Sequence, residues 1–292
     1  MLDYRLLEAL SAVIETGGFE RAANRLYLTQ SAVSQRIRQL EHRLGQPVLL
    51  RTTPPRATDL GRRLLNHLQQ VRQLEHGLID DTDSDSSMAV RLTVNADTMD
   101  TWLASALADC PLSERMDFDL VVEDQEIGLR RMKNGEVMAC ICAESQPVNG
   151  SLAIPLGLLR YRALASPAFI ERHNLRRHRD ALLHAPCLIF NHDDRLQHRF
   201  LKDLGLTEPG RTHRCPSSSG FMFMAQAGLG YGMMPELQVE EALADGHLID
   251  IQPGYHLDVP LYWHYWQTES PAMAALRESV TRHARRILRP AD

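Results

Sequence analysis

At 292 residues, with 44% hydrophobic and 24% charged residues, the chain has the composition of an ordinary globular protein long enough for two domains or a split pair. No stretch approaches the roughly 18 consecutive apolar residues of a membrane span, and MLDYRLLEAL sets Asp3 where a secretory leader carries basic residues, so the expected place of action is the cytoplasm, with no membrane partner. The net charge of −5 argues against a nucleic-acid partner until its distribution is read: residues 1–79 hold 11 Arg, no Lys and 7 acids, a balance of +4, against −9 for the rest.

The first predicted helix starts at Tyr4, with Leu6, Leu10, Val13 and Ile14 at helical spacing, and stops at Gly17-Gly18. A short second helix, Glu20 to Leu26, turns Ala22 and Ala23 inward, small enough for another helix to cross closely. Thr29 offers its hydroxyl as the cap of a third helix that ends at Gly45. That helix has two faces. Val33, Ile37, Leu40 and Leu44 form an apolar stripe, while Ser31, Ser34, Gln35 and Arg38 lie opposite. A polar stripe is ordinarily a solvated face. This one holds hydroxyls, an amide and an arginine with no acid, and it opens the second helix of a tight helix-turn-helix, the setting in which such side chains meet phosphates and base edges.

After Gly45, QPVLLRTTPPRAT reads as a small hairpin wing presenting Arg51 and Arg56 to the DNA backbone or minor groove, with an ordinary surface turn as the plainer reading. From Thr58 a long helix places Leu60, Leu64, Leu68, Val71, Leu74 and Leu78 on one stripe, which points to pairing with a second copy of the chain. DDTDSDSS, from Asp80 to Ser87, reads as a hinge.

The run FERAANRLYLTQSAVSQRIRQLEHRLGQPVLLRT, followed by PRAT and a long helix containing Gly61, resembles the N-terminal domain of LysR-type transcriptional regulators, over about residues 3–79. The resemblance implies an α+β multidomain chain: a winged helix-turn-helix, a long dimerising linker helix, and a two-lobed α/β effector domain like the periplasmic binding proteins. It implies as partners double-stranded promoter DNA, the chain itself as homodimer or homotetramer, a small-molecule effector, and RNA polymerase. Transferred residue by residue, it assigns Gln30, Ser31, Ser34 and Gln35 to base and backbone contacts and Arg51 to the wing. Gln35 stands where many members carry arginine.

Beyond the hinge, strands and helices alternate. Val90, Leu92 and Val94 precede a helix with Trp102 and Leu103; Phe118, Leu120 and Val122 precede another ending at Gly135; Val137 to Cys142 follows. Similar units occur at Cys187 to Phe190, Gly230 to Met234 and Pro260 to Trp266, before a last helix to about Leu288. With the family resemblance, the expected units are a winged domain (1–58), linker helix (59–79), hinge (80–88), first lobe (89–160 with 267–292) and second lobe (161–266). The chain would cross between lobes near Leu159 to Ala165 and near Tyr262 to Trp266.

A ligand in such a domain sits beyond the strand ends, where Asn95-Ala96-Asp97-Thr98, Glu123-Asp124, Asn191-His192-Asp193-Asp194 and Ser217-Ser218-Ser219-Gly220 fall. NADTMDTWL, VVEDQE, RRMKNGEV, LLRTTPPRAT and LYWHY are similar to the arginine- and lysine-responsive branch of the family, which implies control of basic amino-acid export or metabolism. A cationic amino acid needs carboxylates, which Asp97, Glu123 and Asp124 would supply, and donors for its own carboxylate, for which Thr98, Asn191 and Ser217, Ser218 and Ser219 are candidates. Helix capping is the competing reading for Asp97, Thr98 and the serines, and a solvated loop for Asp193-Asp194.

Other functions fit less of the chain. No G-x-S-x-G, H-E-x-x-H, P-loop or dinucleotide fingerprint occurs, and Gly228 to Gly232 precedes a strand, the wrong context for a phosphate loop, so no enzyme and no cofactor are expected. Five scattered cysteines without CxxC spacing read as core thiols rather than metal ligands. A solute-binding protein leaves residues 1–58 unexplained. A replication-modulating or architectural DNA binder shares the DNA module, and a regulator of the same family with another effector shares everything but the ligand.

Overall fold

The computed structural model describes residues 2–79, 87–123, 125–176 and 180–291. Three helices, α1 (Tyr4–Thr16), α2 (Phe19–Arg25) and α3 (Gln30–Leu44), are followed by a hairpin of β1 (Leu49–Leu50) and β2 (Arg56–Ala57), and then by the 21-residue α4 (Asp59–Ile79). The caps are those the side chains dictate. Asp3 accepts from the Arg5 N–H at 3.1 Å, Thr29 from the Ala32 N–H at 3.2 Å, and Gly17 and Gly45 take left-handed backbone where α1 and α3 end.

Leu6, Leu10 and Val13 of α1 pack on Val33, Ile37 and Leu40 of α3, with Ala22 and Ala23 letting α2 approach. Leu64 and Leu68 of α4 are buried in this same core. Each such leucine contributes on the order of 1.5–3 kcal/mol, so the front half of α4 is bound into the winged unit. At Gly61 a Cβ would lie 2.1 Å from the Val48 carbonyl oxygen, so only glycine lets α4 leave the hairpin here.

The second unit begins with β3 (Met88–Val94), β4 (Met116–Val122) and β5 (Ala139–Cys142), paired in parallel around β3. Between β3 and β4 lies one helical run, α5 (Ala96–Thr98), a π-helical turn (Met99–Leu103) and α6 (Ala104–Ala108); α7 (Gln125–Lys133) precedes β5. The 15-residue β6 (Ser151–Ala165) leads to α8 (Pro167–Arg172), α9 (Ala181–His184), β7 (Pro186–Ile189), α10 (Leu196–Asp203), β8 (Arg211–Arg214), α11 (Ser218–Gln226), β9 (Gly232–Pro235), α12 (Glu236–Ala244) and β10 (Ile249–Asp250). Then β11 (Leu257–Trp266) returns to the closing helix α13 (Pro271–Ile287).

Two lobes share one sheet through β6 and β11, which are antiparallel along ten register pairs. β6 enters the second lobe at Tyr161, where its pairing with β11 ends and β9 joins it, followed by β10 at Leu164. The return differs from expectation. Tyr262–Trp266, assigned to the crossing and the second lobe, pairs with the first lobe: Tyr262 faces Cys142 and Tyr265 faces Ala139. The crossing falls earlier, at the register shift between Leu261 and Tyr262. A run as apolar as LYWHYW can be buried in either lobe, and strand periodicity does not name the neighbour. The β6–β11 pairing also makes the sheet mixed, parallel around β3 and antiparallel where β11 joins it.

Arg160 and Asp258, register partners on these two strands, form a bidentate ion pair with both contacts at 2.8 Å. The Arg160 guanidinium holds the Asp258 carboxyl below the usual carboxylate range. The linker meets the first lobe at Gly135, whose backbone (φ +73°) lies so near α4 that a Cβ would be 2.5 Å from Asn66 Cα. Cys110, Cys140, Cys142 and Cys187 are buried free thiols and Cys215 is half-buried. The hinge residues 80–86, the side chain of Leu78, and Asp124 lie outside the described residues.

Candidate nucleic-acid interface and interlobe cleft

Helix α3 presents its polar face to solvent. Gln30, Ser31, Gln35 and Arg38 are exposed and Ser34 is half-buried, over buried Val33, Ile37 and Leu40. The Ser31 hydroxyl lies 2.9 Å from that of Thr29, at the helix start, where free N–H groups and the helix dipole favour phosphate. The hairpin registers Leu50 with Arg56 and leaves Arg51 and Arg56 exposed, with no carboxylate partner for either among the described residues. Two bonds fix the hairpin to the helices: the Val48 N–H donates to Glu41 at 3.0 Å, and the Thr58 hydroxyl donates to the Pro47 carbonyl at 2.9 Å. Hydroxyls, amides and free guanidinium groups are thus exposed on two tethered elements, α3 and the hairpin. Tyr27, in left-handed backbone between α2 and α3, is 96% exposed, a residue the sequence pattern did not single out.

Between the lobes is a cleft of about 890 Å³, lined by Asp97, Glu123, Asn191 and Ser218 among the residues expected from sequence. Asp97 does not cap a helix; Asn95 occupies that position. Its carboxylate instead accepts from the Tyr161 hydroxyl at 2.5 Å and from the Ser218 hydroxyl at 2.6 Å, so it joins the first lobe to the second. Burial pushes the Asp97 carboxyl above the usual carboxylate range, against the pull of those two donors. One turn on, Asp100 accepts from the Ser219 N–H at 3.0 Å and its hydroxyl at 2.6 Å, a second bond across the lobes.

Other expected residues are used differently. Ser217 is the cap of α11, accepting from the Gly220 N–H at 3.1 Å. Thr98, the last residue of α5, is fully buried, and neither it, Ser217 nor Ser219 lines the cleft. Glu123 is paired with Arg131 through Nε at 2.9 Å, a guanidinium it shares with Glu136 at 2.8 Å, so it is engaged inside the protein. Asn191 accepts from the N–H groups of Asp193 and Asp194, at 2.8 and 3.0 Å, and shapes the loop after β7. Asp194 is no solvated loop residue. It holds the Phe190 and Leu196 N–H groups at 2.8 and 3.0 Å, and burial raises its carboxyl while those bonds oppose the rise.

Tyr161, Gln238 and Arg199 also line the cleft, and sequence reasoning missed them. Gln238 donates to the Ser218 hydroxyl at 3.0 Å and so extends the chain of bonds from Asp97. Tyr161 did leave a signal, between Arg160 and Arg162 in a strand whose alternation turns it inward. Asp100 left another, three residues beyond Asp97 and hence on the same helical face.

Residues 4–62 match the family described as bacterial regulatory helix-turn-helix protein, lysR family, and residues 84–285 match the LysR substrate binding domain. The HTH-type transcriptional regulator ArgP of Pseudomonas aeruginosa is 52% identical over 289 residues, covering 97% of this chain and 96% of the relative. The crystal structure of ArgP from Mycobacterium tuberculosis superposes with a TM-score of 0.89 at 38% identity, covering both chains fully. Full-length LysG from Corynebacterium glutamicum, solved with bound effector arginine, superposes with a TM-score of 0.81 at 29% identity, covering 99% of this chain and 100% of that one.

Proposed function

The chain belongs to the LysR family of bacterial helix-turn-helix regulators, and from this premise we propose that its interlobe cleft binds a basic amino acid, arginine or lysine. As a LysR-type transcriptional regulator it acts on double-stranded DNA through the winged unit. The observation that carries the ligand reading is Asp97, a carboxylate set between the lobes with hydroxyl donors on both oxygens. A guanidinium or ammonium group entering there would find an acceptor whose ionisation burial now disfavours. Arg199, on the same cleft, supplies the opposite charge for the ligand's α-carboxylate. The arginine bound in the Corynebacterium LysG structure supports the same ligand class.

Occupancy then sets how a self-assembled pair of winged units holds a promoter for genes of basic amino-acid export or metabolism. Base contacts fall to Gln30, Ser31, Ser34, Gln35 and Arg38, and backbone contacts to Arg51 and Arg56. For pairing, the flank of α4 with half-buried Val71 and exposed Leu74 is the available surface, because Leu64 and Leu68 are committed to the winged core. The protein performs no catalysis in this reading and works in the cytoplasm, where its DNA is; no helix among the described residues is long and apolar enough to cross a membrane.

Calorimetric titration of the full chain tests the ligand. Arginine or lysine binds saturably, citrulline and norleucine, which keep the shape but lose the side-chain charge, do not, and Asp97→Asn weakens binding about tenfold or more. Equal binding of charged and neutral analogues, or a promoter protection pattern unmoved by either amino acid, would refute the proposal.

A further inference from the structure

The second lobe carries another, smaller hollow that the effector cleft does not explain. It has a volume of about 240 Å³, and its wall includes Arg195, Arg214, His192, His198, Thr212 and a single acid, Glu208. Thr212 and Arg214 come from β8, His192 from the loop after β7, and Arg195 and His198 from the start of α10. Arg195 and Arg214 are exposed, and among the described residues neither meets a carboxylate. The Nδ1 atom of half-buried His198 is shut off from solvent with no hydrogen-bond partner among the described residues. That nitrogen is out of reach from the hollow, so His198 meets the hollow through the rest of its half-buried ring.

Two free guanidinium groups, two imidazoles and a hydroxyl facing one concavity make a donor-rich site with one opposing charge. Arginine forks grip phosphate and carboxylate oxygens in pairs. The volume lies below the range of about 300–1,000 Å³ typical of drug-sized ligands, which restricts the occupant to a small molecule. We propose that this hollow is a second ligand site, separate from the basic amino-acid site, that takes a small dianionic oxyanion, phosphate or dicarboxylate in type.

Asn191 and Arg195 line both the hollow and the cleft, so the test rests on Arg214, which lines only the hollow. Full-length protein is titrated with inorganic phosphate and, separately, malonate, against sodium chloride of matched ionic strength. At least one anion binds saturably at one site per chain, and the two arms identify the preferred group. Arg214→Ala weakens that binding about tenfold or more, the scale of a lost charged hydrogen bond, and leaves arginine affinity unchanged. His198→Gln is the second variant and also weakens the anion. The proposal fails if neither anion saturates, or if both variants keep parental anion affinity, which would assign the anion to the winged unit. It fails equally if both variants lose arginine together with the anion, which would put the anion in the interlobe cleft.

Discussion

Asp97 shows how a single carboxyl gains a function from its surroundings. Burial raises it, so between the ordinary carboxylate range and its raised value the folded chain keeps a proton that the unfolded chain has lost. Stability from this group is therefore greatest at low pH and declines as pH climbs through that interval. A cation paired with Asp97 needs the ionised form, so ligand binding expels the proton. Arginine affinity is expected to rise with pH through the interval and level off above it. In the acid range, titrations in acetate and in MES give different apparent enthalpies; identical enthalpies would mean that Asp97 is ionised before the ligand arrives. The sequence identified Asp97 by its place after a strand, yet assigned it equally to helix capping, because the partners that decide between the two, Tyr161 and Ser218, lie 64 and 121 residues away. Ser217 went the other way for the same reason: a hydroxyl one residue from Ser218 is spent on its own helix.

At the scale of elements, the recognition helix and the wing carry different information, and substitutions separate them. Ser34→Ala with Gln35→Ala removes base-edge contacts of about 1–3 kcal/mol each, so operator binding falls while binding to unrelated DNA is nearly kept. Arg51→Ala weakens both alike and lowers the slope of log affinity against log salt by about one. Competition binding at two salt concentrations distinguishes these outcomes, and a uniform loss in the double variant would move base reading elsewhere. The helices of this unit were legible because local signals agree: Thr29 starts α3, Gly45 stops it, and the apolar stripe between has one period. β6 was less legible. Pro155 and Gly157 interrupt its 15 residues like turn signals, and the strand continues through them because β11 holds it from the side.

For the molecule as a whole, the bonds Asp97–Ser218 and Asp100–Ser219 latch one lobe to the other. Asp100 does not line the cleft, so Asp100→Asn should leave the ligand's contacts intact and still weaken arginine about fivefold, the share lost from closure. An unchanged dissociation constant would mean that the latch does not contribute to binding. The division into lobes was readable as a repeated strand–helix rhythm, but the return point was not, since it depends on whether Tyr262 finds β5 or β9 beside it. The burial of Leu64 and Leu68 has a mechanical meaning as well. A helix of 21 residues bound at one end into the winged core is a stiff arm, roughly 30 Å long at 1.5 Å per residue. If its far end swings by about ten degrees, the recognition helix travels about 5 Å, more than the roughly 3.4 Å that separates neighbouring base pairs. A shift too small to unfold anything in the sensor is then enough to put a second winged unit out of phase with its half-site.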